Sequence, residues 1–116
     1  MASLKAEGER GQVRLRWETA NEVGVAGFHV LRAESADGPY VRVNKRLVAA
    51  EGRPGANQRY QFVDKTARPG RTWWYRLVEV EEGGRRTEYP EIVSATAEGS
   101  GLYDLLPEAV RGLLSS

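Results

Sequence analysis

The fold is decided by residues 69–80, Pro69-Gly70-Arg71-Thr72-Trp73-Trp74-Tyr75-Arg76-Leu77-Val78-Glu79-Val80. A Pro-Gly corner leads into aromatic and β-branched residues, a composition typical of a strand with bulky side chains on both faces. In a strand, Trp73 and Tyr75 share one face, while Trp74 and Arg76 share the other. Burying a lone arginine is costly, so we expect the first face to be buried and the second to be partly open. The sequence therefore predicts a central strand here.

Shorter alternating segments lie on both sides of this strand. Val13–Trp17 alternates apolar and cationic residues, which predicts a strand with one buried and one exposed face. Turn residues separate the segments. Asp37-Gly38-Pro39 precedes the expected strand Tyr40–Val43, and Gly83-Gly84 follows the central strand. This spacing predicts an all-β fold, an antiparallel immunoglobulin-like β-sandwich of about seven strands. The other expected strands are Phe28–Arg32, Tyr40–Val43, Tyr60–Asp64 and Thr87–Ala97, with the longest surface loop at residues 49–58.

Length and composition limit the class of protein. The 116 residues suffice for one domain, and 41% hydrophobic with 28% charged residues is ordinary for a globular chain. No apolar run approaches the roughly 20 residues of a membrane-spanning helix, so no membrane insertion is expected. Seventeen Lys and Arg against sixteen Asp and Glu leave a net charge of +1, so nucleic acid is not an expected partner. The chain has no cysteine, which excludes disulfides and thiolate metal sites.

Five segments carry a family pattern: residues 17–22 (Trp-Glu-Thr-Ala-Asn-Glu), 27–33 (Gly-Phe-His-Val-Leu-Arg-Ala), 37–40 (Asp-Gly-Pro-Tyr), 60–64 (Tyr-Gln-Phe-Val-Asp) and 69–77. Together they resemble a fibronectin type III-like domain of the bacterial variety. The resemblance covers about residues 12–97, and it implies two packed antiparallel sheets with Trp17 in the core beside Phe28. Where the family usually has a tyrosine, three residues after the Pro-Gly, this chain has Trp73. The tyrosine-corner hydrogen bond is therefore either rebuilt or absent.

The chain divides into an N-terminal arm (1–11), the β-sandwich (12–98) and a C-terminal tail (99–116). Apolar residues recur at helical spacing in the tail, and Pro107 suits the first turn of a helix that runs through Glu108 to Leu114. A helix this short is marginal alone, so its apolar side needs a surface, either its own sandwich, another protein or a neighbouring copy. The candidate partner-binding residues of the tail are Leu102, Tyr103, Leu105, Leu106, Val110, Leu113 and Leu114.

Residue types that serve in catalysis are scattered along the chain. His29 is the sole histidine and has no second ligand in its own motif, so a strand-surface or partly packed position without a chemical role is expected. Asp37 and Asp64 lie at a turn and at a strand end, where aspartate usually caps backbone N–H groups. No catalytic residue, metal site or cofactor is expected. The other residues of catalytic type that lie in no recognisable motif are Asp104, Ser35, Ser94 and Ser100.

Trp74 and Arg76 are further candidate partner-binding residues, on the open face of the central strand. Tryptophan and arginine are enriched at the centres of protein interfaces, so the pair predicts a protein contact. The alternative is that Trp74 packs beneath the aliphatic stems of neighbouring arginines, such as Arg14 or Arg16.

These patterns favour a non-enzymatic protein-binding or spacer module with the C-terminal helix as its docking element. One alternative is a structural subunit or decoration protein of a larger assembly, such as a virion, injection device or surface filament. Another is a carbohydrate-binding accessory domain that uses Trp74 and Tyr40. The first residues lack a signal peptide. We therefore expect a cytoplasmic protein or assembly component if Met1 is native, and an extracellular one if the chain comes from a longer secreted protein.

Overall fold

A computed structural model describes residues 3–20, 22–51, 57–99 and 107–114. Within these ranges the chain forms two antiparallel sheets and one helix, which confirms the predicted all-β sandwich. The strands are β1 (Ser3–Glu9), β2 (Gln12–Thr19), β3 (Val25–Ala33), β4 (Val41–Arg42), β5 (Val48–Ala49), β6 (Gln58–Asp64), β7 (Thr72–Glu81), β8 (Arg86–Glu88) and β9 (Val93–Thr96), and the helix is α1 (Glu108–Leu114).

The central strand is β7, as residues 69–80 predict. It has ten residues and pairs with β3, β8 and β9 in the larger sheet, whose main order is β4-β3-β7-β8. The smaller sheet has the order β1-β2-β6. The short strand β5 also pairs with β3, so β3 and β7 together connect every strand of the larger sheet.

Alternating apolar side chains from both sheets fill the core. Trp17 is 2% exposed, and its ring centroid lies 5.7 Å from that of Phe28 in an edge-on contact. Tyr60 stacks on the other side of Trp17, also at 5.7 Å between centroids. These contacts confirm the position of Trp17 beside Phe28, and pairs of aromatic rings in this geometry contribute beyond the area that they bury. The other fully buried apolar side chains are Val13, Leu15, Val30, Tyr75 and Leu77.

The N-terminal arm expected for residues 1–11 requires a correction. Ser3–Glu9 forms β1, which pairs with β2 in unbroken register from Ser3 opposite Glu18 to Glu9 opposite Gln12. Its alternation is present but weak, because the inward positions hold only Leu4, Ala6 and Gly8. Small side chains have low strand propensity, so this strand depends on its neighbours.

Two other strands differ from the sequence-based expectation. The third strand is limited to Val41–Arg42, and Val48–Ala49 forms β5 at the start of the expected long loop. The last expected strand is divided into β8 and β9 on either side of Pro90. Proline has no N–H to donate, so it interrupts a ladder, and both pieces still pair with β7.

The predicted C-terminal helix is present as α1, directly after Pro107. Val110 is 39% exposed and Leu113 is 77% exposed. Among the described residues, no helix is long and apolar enough to cross a membrane. Several tail and loop residues named above lie outside the described residues: Ser100, Leu102, Tyr103, Asp104, Leu105, Leu106 and the side chain of Leu114.

Candidate functional site

The open side of the larger sheet carries two of the predicted contact residues. Strand register places Trp74 opposite Ala33, Arg76 opposite Leu31 and Val78 opposite His29. Directly opposed residues of an antiparallel pair point to the same side of a sheet. We call this side, which is turned away from the core, the outer face. Its central residues are His29, Leu31, Trp74, Arg76 and Val78.

Arg76 is held in place on the outer face. Its Nη2 donates to the carbonyl oxygen of Tyr89 at 2.9 Å, and its Nη1 lies 3.8 Å from a carboxylate oxygen of Glu88. Its guanidinium carbon lies 5.6 Å from the ring centroid of Tyr40, within cation–π range. The side chain is only 20% exposed, and its buried Nε has no hydrogen-bond partner among the described residues. Arg76 therefore joins the two edges of the sheet.

Trp74 is half-buried, but the arginines suggested to cover it lie elsewhere. Arg14 and Arg16 belong to β2 of the smaller sheet, where they pair with Glu9 and Glu7 at 2.9 Å. They point away from the core on the opposite side of the sandwich, so the expectation that these two arginines cover Trp74 is wrong. The role of Trp74 in a protein contact stays a prediction.

The neighbouring residue, Trp73, is the indole that arginine covers. The guanidinium carbon of Arg32 lies 4.2 Å from its ring centroid and that of Arg71 lies 5.9 Å from it. Its Nε1 donates to the carbonyl oxygen of Arg68 at 3.0 Å. A tyrosine-corner hydroxyl also bonds to backbone a few residues upstream. The indole therefore rebuilds that hydrogen bond with a different donor.

Replacing Trp73 with phenylalanine should destabilise the sandwich through this bond. We expect a loss of about 1–2 kcal/mol in the free energy of unfolding, because the Arg68 carbonyl loses its donor and the smaller ring leaves a gap. Trp74→Phe is the matched control and should cost less than half as much, since Trp74 is only half-buried. Urea denaturation of both variants measures the difference, and equal losses would contradict this role of Trp73.

A groove opens on the outer face between β4 and β8. It has a volume of about 790 Å³ and is lined by His29, Leu31, Arg42, Val78, Arg86 and Glu88. Arg42 and Arg86 are exposed, and neither forms an ion pair or a side-chain hydrogen bond with any residue that the structure describes. Glu88 is the acidic residue of the lining and lies 3.8 Å from Arg76. We call this feature the cationic groove.

His29 also lines the groove. The amide nitrogen Nδ2 of Asn44 lies 3.2 Å from His29 Nδ1, and the same nitrogen donates to the carbonyls of Phe28 and Arg46. Because Nδ2 only donates, Nδ1 is the acceptor in any hydrogen bond between these two atoms. Burial, followed by the charges of Arg42 and Arg86, lowers the pKa of His29 below its usual 6.5. No group of three or more His, Asp or Glu side chains suited to a metal ion occurs among the described residues.

Asp64 is the centre of a buried polar cluster between the sheets. Its Oδ1 accepts from the Thr66 N–H at 3.0 Å, which confirms the expected capping role. Its Oδ2 accepts from the Tyr75 hydroxyl at 2.7 Å and from Arg32 Nη1 at 3.0 Å. Burial opposes ionisation, but the bonds from Tyr75, Thr66 and Arg32 outweigh it and hold the pKa of Asp64 below its usual value. These partners occupy the carboxylate, so the cluster is structural.

A second buried carboxylate belongs to Glu22, in the connection between β2 and β3. Glu22 is 4% exposed and accepts hydrogen bonds from the hydroxyls of Thr19 and Tyr60. The Tyr60 oxygen also accepts from the Glu51 N–H at 2.9 Å. Burial is the main cause that raises the pKa of Tyr60 to about 12. The cluster ties the β2–β3 connection to β6 and to the loop after β5.

Two solved structures share this architecture. One is a Fn3-like protein from Clostridium thermocellum, with a TM-score of 0.63, 16% identity and a match that covers 82% of this chain and 88% of the other. The second is a beta-1,2-glucanase from Parabacteroides distasonis, with a TM-score of 0.54 and 16% identity. The match covers 82% of this chain and 12% of the glucanase. No family model and no curated protein matches the chain.

Proposed function

From its fibronectin type III-like fold, a fold that is usually non-catalytic, we propose that this chain is a protein-binding or spacer module whose C-terminal helix is the docking element. The observation that carries the proposal is the exposure of Val110 and Leu113 on α1, at 39% and 77%. Burying an aliphatic side chain of this size at an interface contributes about 1.5–3 kcal/mol. A seven-residue helix is marginal alone, so contact with a partner would stabilise both the helix and the complex.

The absence of a catalytic role is part of the same proposal. Among the described residues, the two buried carboxylates Asp64 and Glu22 accept hydrogen bonds from neighbouring side chains. His29 lies on the outer face with Nδ1 bound by Asn44, and no carboxylate of the described residues orients it as a base. These contacts are structural, which supports a role in binding for the chain.

Removal of residues 101–116 tests the docking role. We expect the truncated chain to remain folded. It should no longer capture a partner from an extract of the native source, or it should no longer self-associate in sedimentation velocity experiments. Val110→Ser with Leu113→Ser should reproduce the loss, because both remove exposed apolar surface from α1. Ala109→Ser, a change of an exposed residue on the same helix, is the matched control and should retain binding. Unchanged capture and unchanged assembly after truncation would exclude the tail from the function.

Carbohydrate binding by Trp74 and Tyr40 is a second candidate, and the similarity to one portion of a glucanase favours it. The two residues lie on or near the outer face, but the guanidinium group of Arg76 lies over the Tyr40 ring. Because that contact covers Tyr40, Trp74 is the aromatic ring of this pair that can stack against a sugar. Tryptophan fluorescence during titration with a panel of polysaccharides tests this candidate, and a flat response would remove it.

The role of a structural subunit in a larger assembly also remains a proposal. A chain that stays monomeric at rising concentration in light scattering would contradict it.

A further inference from the structure

The cationic groove has uncompensated charge at two opposite corners. Arg42 extends from β4 at the level of Leu31, while Arg86 extends from β8 at the level of Val80. Val80 lies opposite Gly27, so the two arginines are four residues apart along the strands and three strands apart across the sheet. With strand spacings of about 4.8 Å and a rise of about 3.3 Å per residue, their backbones are about 20 Å apart. The groove runs diagonally between them.

The floor of the groove between the arginines is apolar. Val78 is 7% exposed and Leu31 is half-buried, and both are aliphatic. His29 lines the same floor, and its Nδ1 lies 3.2 Å from the amide nitrogen of Asn44. The one acidic group of the described lining, Glu88, lies beside Arg76 and does not pair with Arg42 or Arg86. The groove thus offers two cations, an imidazole and an aliphatic surface.

We propose that the cationic groove binds an extended acidic segment of a protein partner, with a carboxylate paired to each of Arg42 and Arg86 and an apolar side chain against Leu31 and Val78. An extended chain spans about 13 Å in four residues, and the side chains of the two arginines and of the two acidic residues make up the rest of the separation between the backbones of Arg42 and Arg86. Two acidic residues about four positions apart therefore meet both guanidinium groups. The proposal adds a second contact surface to the proposed function, and it does not depend on α1.

The lining favours a peptide over other anionic ligands. Sugar rings bind best to flat aromatic surfaces, whereas Leu31 and Val78 are aliphatic and the nearby Tyr40 ring faces Arg76. Nucleic acid requires a row of cations that follows the phosphates, and the chain has a net charge of only +1. A peptide supplies both carboxylates and an apolar side chain from one extended strand.

The test uses the full chain and a panel of fluorescein-labelled nonapeptides. Each peptide carries two glutamates at a separation of two to six positions with one leucine between them, in a serine and glycine background. We expect saturable binding by fluorescence anisotropy, tightest at a separation of four and at least tenfold weaker for R42Q/R86Q. Amide shifts in NMR spectra should occur in β3, β4, β7 and β8. The expected loss reflects the removal of two charge-assisted pairs.

The matched control removes the same amount of charge from the opposite side of the sandwich. R16Q/R59Q changes two exposed arginines of the smaller sheet and should bind the peptides within twofold of the parent. If both double variants bound the peptides equally weakly, the weakening would reflect net charge alone, and the proposal would be overturned. No binding at millimolar peptide, or tighter binding to polygalacturonate or single-stranded DNA than to any peptide, would also overturn it. V110S/L113S should bind the peptides normally, so failure of the helix and failure of the groove are distinguishable.

Discussion

Replacing Asp64 with asparagine should lower the free energy of unfolding by about 3–5 kcal/mol, because it leaves a largely buried arginine without its counter-charge. The Asp64 side chain is 2% exposed, and that of Arg32, 3.0 Å away, is 16% exposed. The same carboxylate also accepts from Tyr75 and from Thr66. Asparagine retains the shape, but its amide NH₂ faces other donors, so several bonds weaken at once.

Urea denaturation at pH 7 measures the loss, and Tyr75→Phe is the control. Phenylalanine removes only the hydroxyl that donates to Asp64 and keeps the ring in the core, so it should cost about 1 kcal/mol. If asparagine at position 64 costs no more than this control, the ion pair with Arg32 is not an important source of stability. If the Asp64 variant does not fold, Tyr75→Phe still measures how much one hydrogen bond to this carboxylate contributes to the free energy of unfolding.

The same carboxyl makes stability depend on pH. The pKa of Asp64 in the fold lies below its usual value of 3.8, so the unfolded chain takes up a proton first as the pH falls. The contribution of the Asp64 carboxylate to the free energy of unfolding is present above pH 3.8, and it is lost as the pH falls through the pKa of Asp64 in the folded chain. The stability gap between parent and Asp64→Asn should therefore narrow below about pH 4. A gap that remains constant down to about pH 2 would contradict this.

Side-chain alternation is sufficient to predict the elements with large inward residues. Trp17, Phe28 and Tyr75 share a face with the apolar residues two positions away along their strands, and each lies in the core as the pattern indicates. The strand β1 escapes prediction because Ala6 and Gly8 are small and give no strong period. Its formation depends on pairing with the adjacent strand β2 and on contact with β9, which is distant in sequence.

The candidate site is predictable only in part, for a related reason. Alternation within one strand is enough to place Trp74 and Arg76 on the correct face. The cationic groove depends on register among four strands, which brings Arg42 and Arg86 to opposite corners around His29. Register is set by the joint packing of all strands and by turn geometry, so a single segment does not reveal it.

Gly8 is a position where the two sheets come very close. A Cβ added there would lie 1.9 Å from the carbonyl oxygen of Thr96 and 2.8 Å from its carbonyl carbon. Both are backbone atoms of β9, so no side-chain rotation relieves the overlap. Hydrogen bonds just beyond this point fix the approach, with Glu98 N–H donating to the Glu9 carbonyl at 2.9 Å and Gly11 N–H donating to the Glu98 carbonyl at 2.8 Å. The close contact requires glycine.

Gly8→Ala should therefore cost about 3 kcal/mol or more, because β1 must separate from β9 to accommodate one methyl group. Gly83→Ala is the matched control, since a Cβ at Gly83 would meet no atom within 4 Å and its φ is not left-handed. We expect that control to change stability by less than about 0.5 kcal/mol. Urea denaturation measures both, and hydrogen exchange locates the damage: protection should fall in β1 and β9 while β3 and β7 retain theirs. Equal stability of the two variants, or loss of protection confined to β3 and β7, would show that the β1–β9 contact does not hold the sandwich closed.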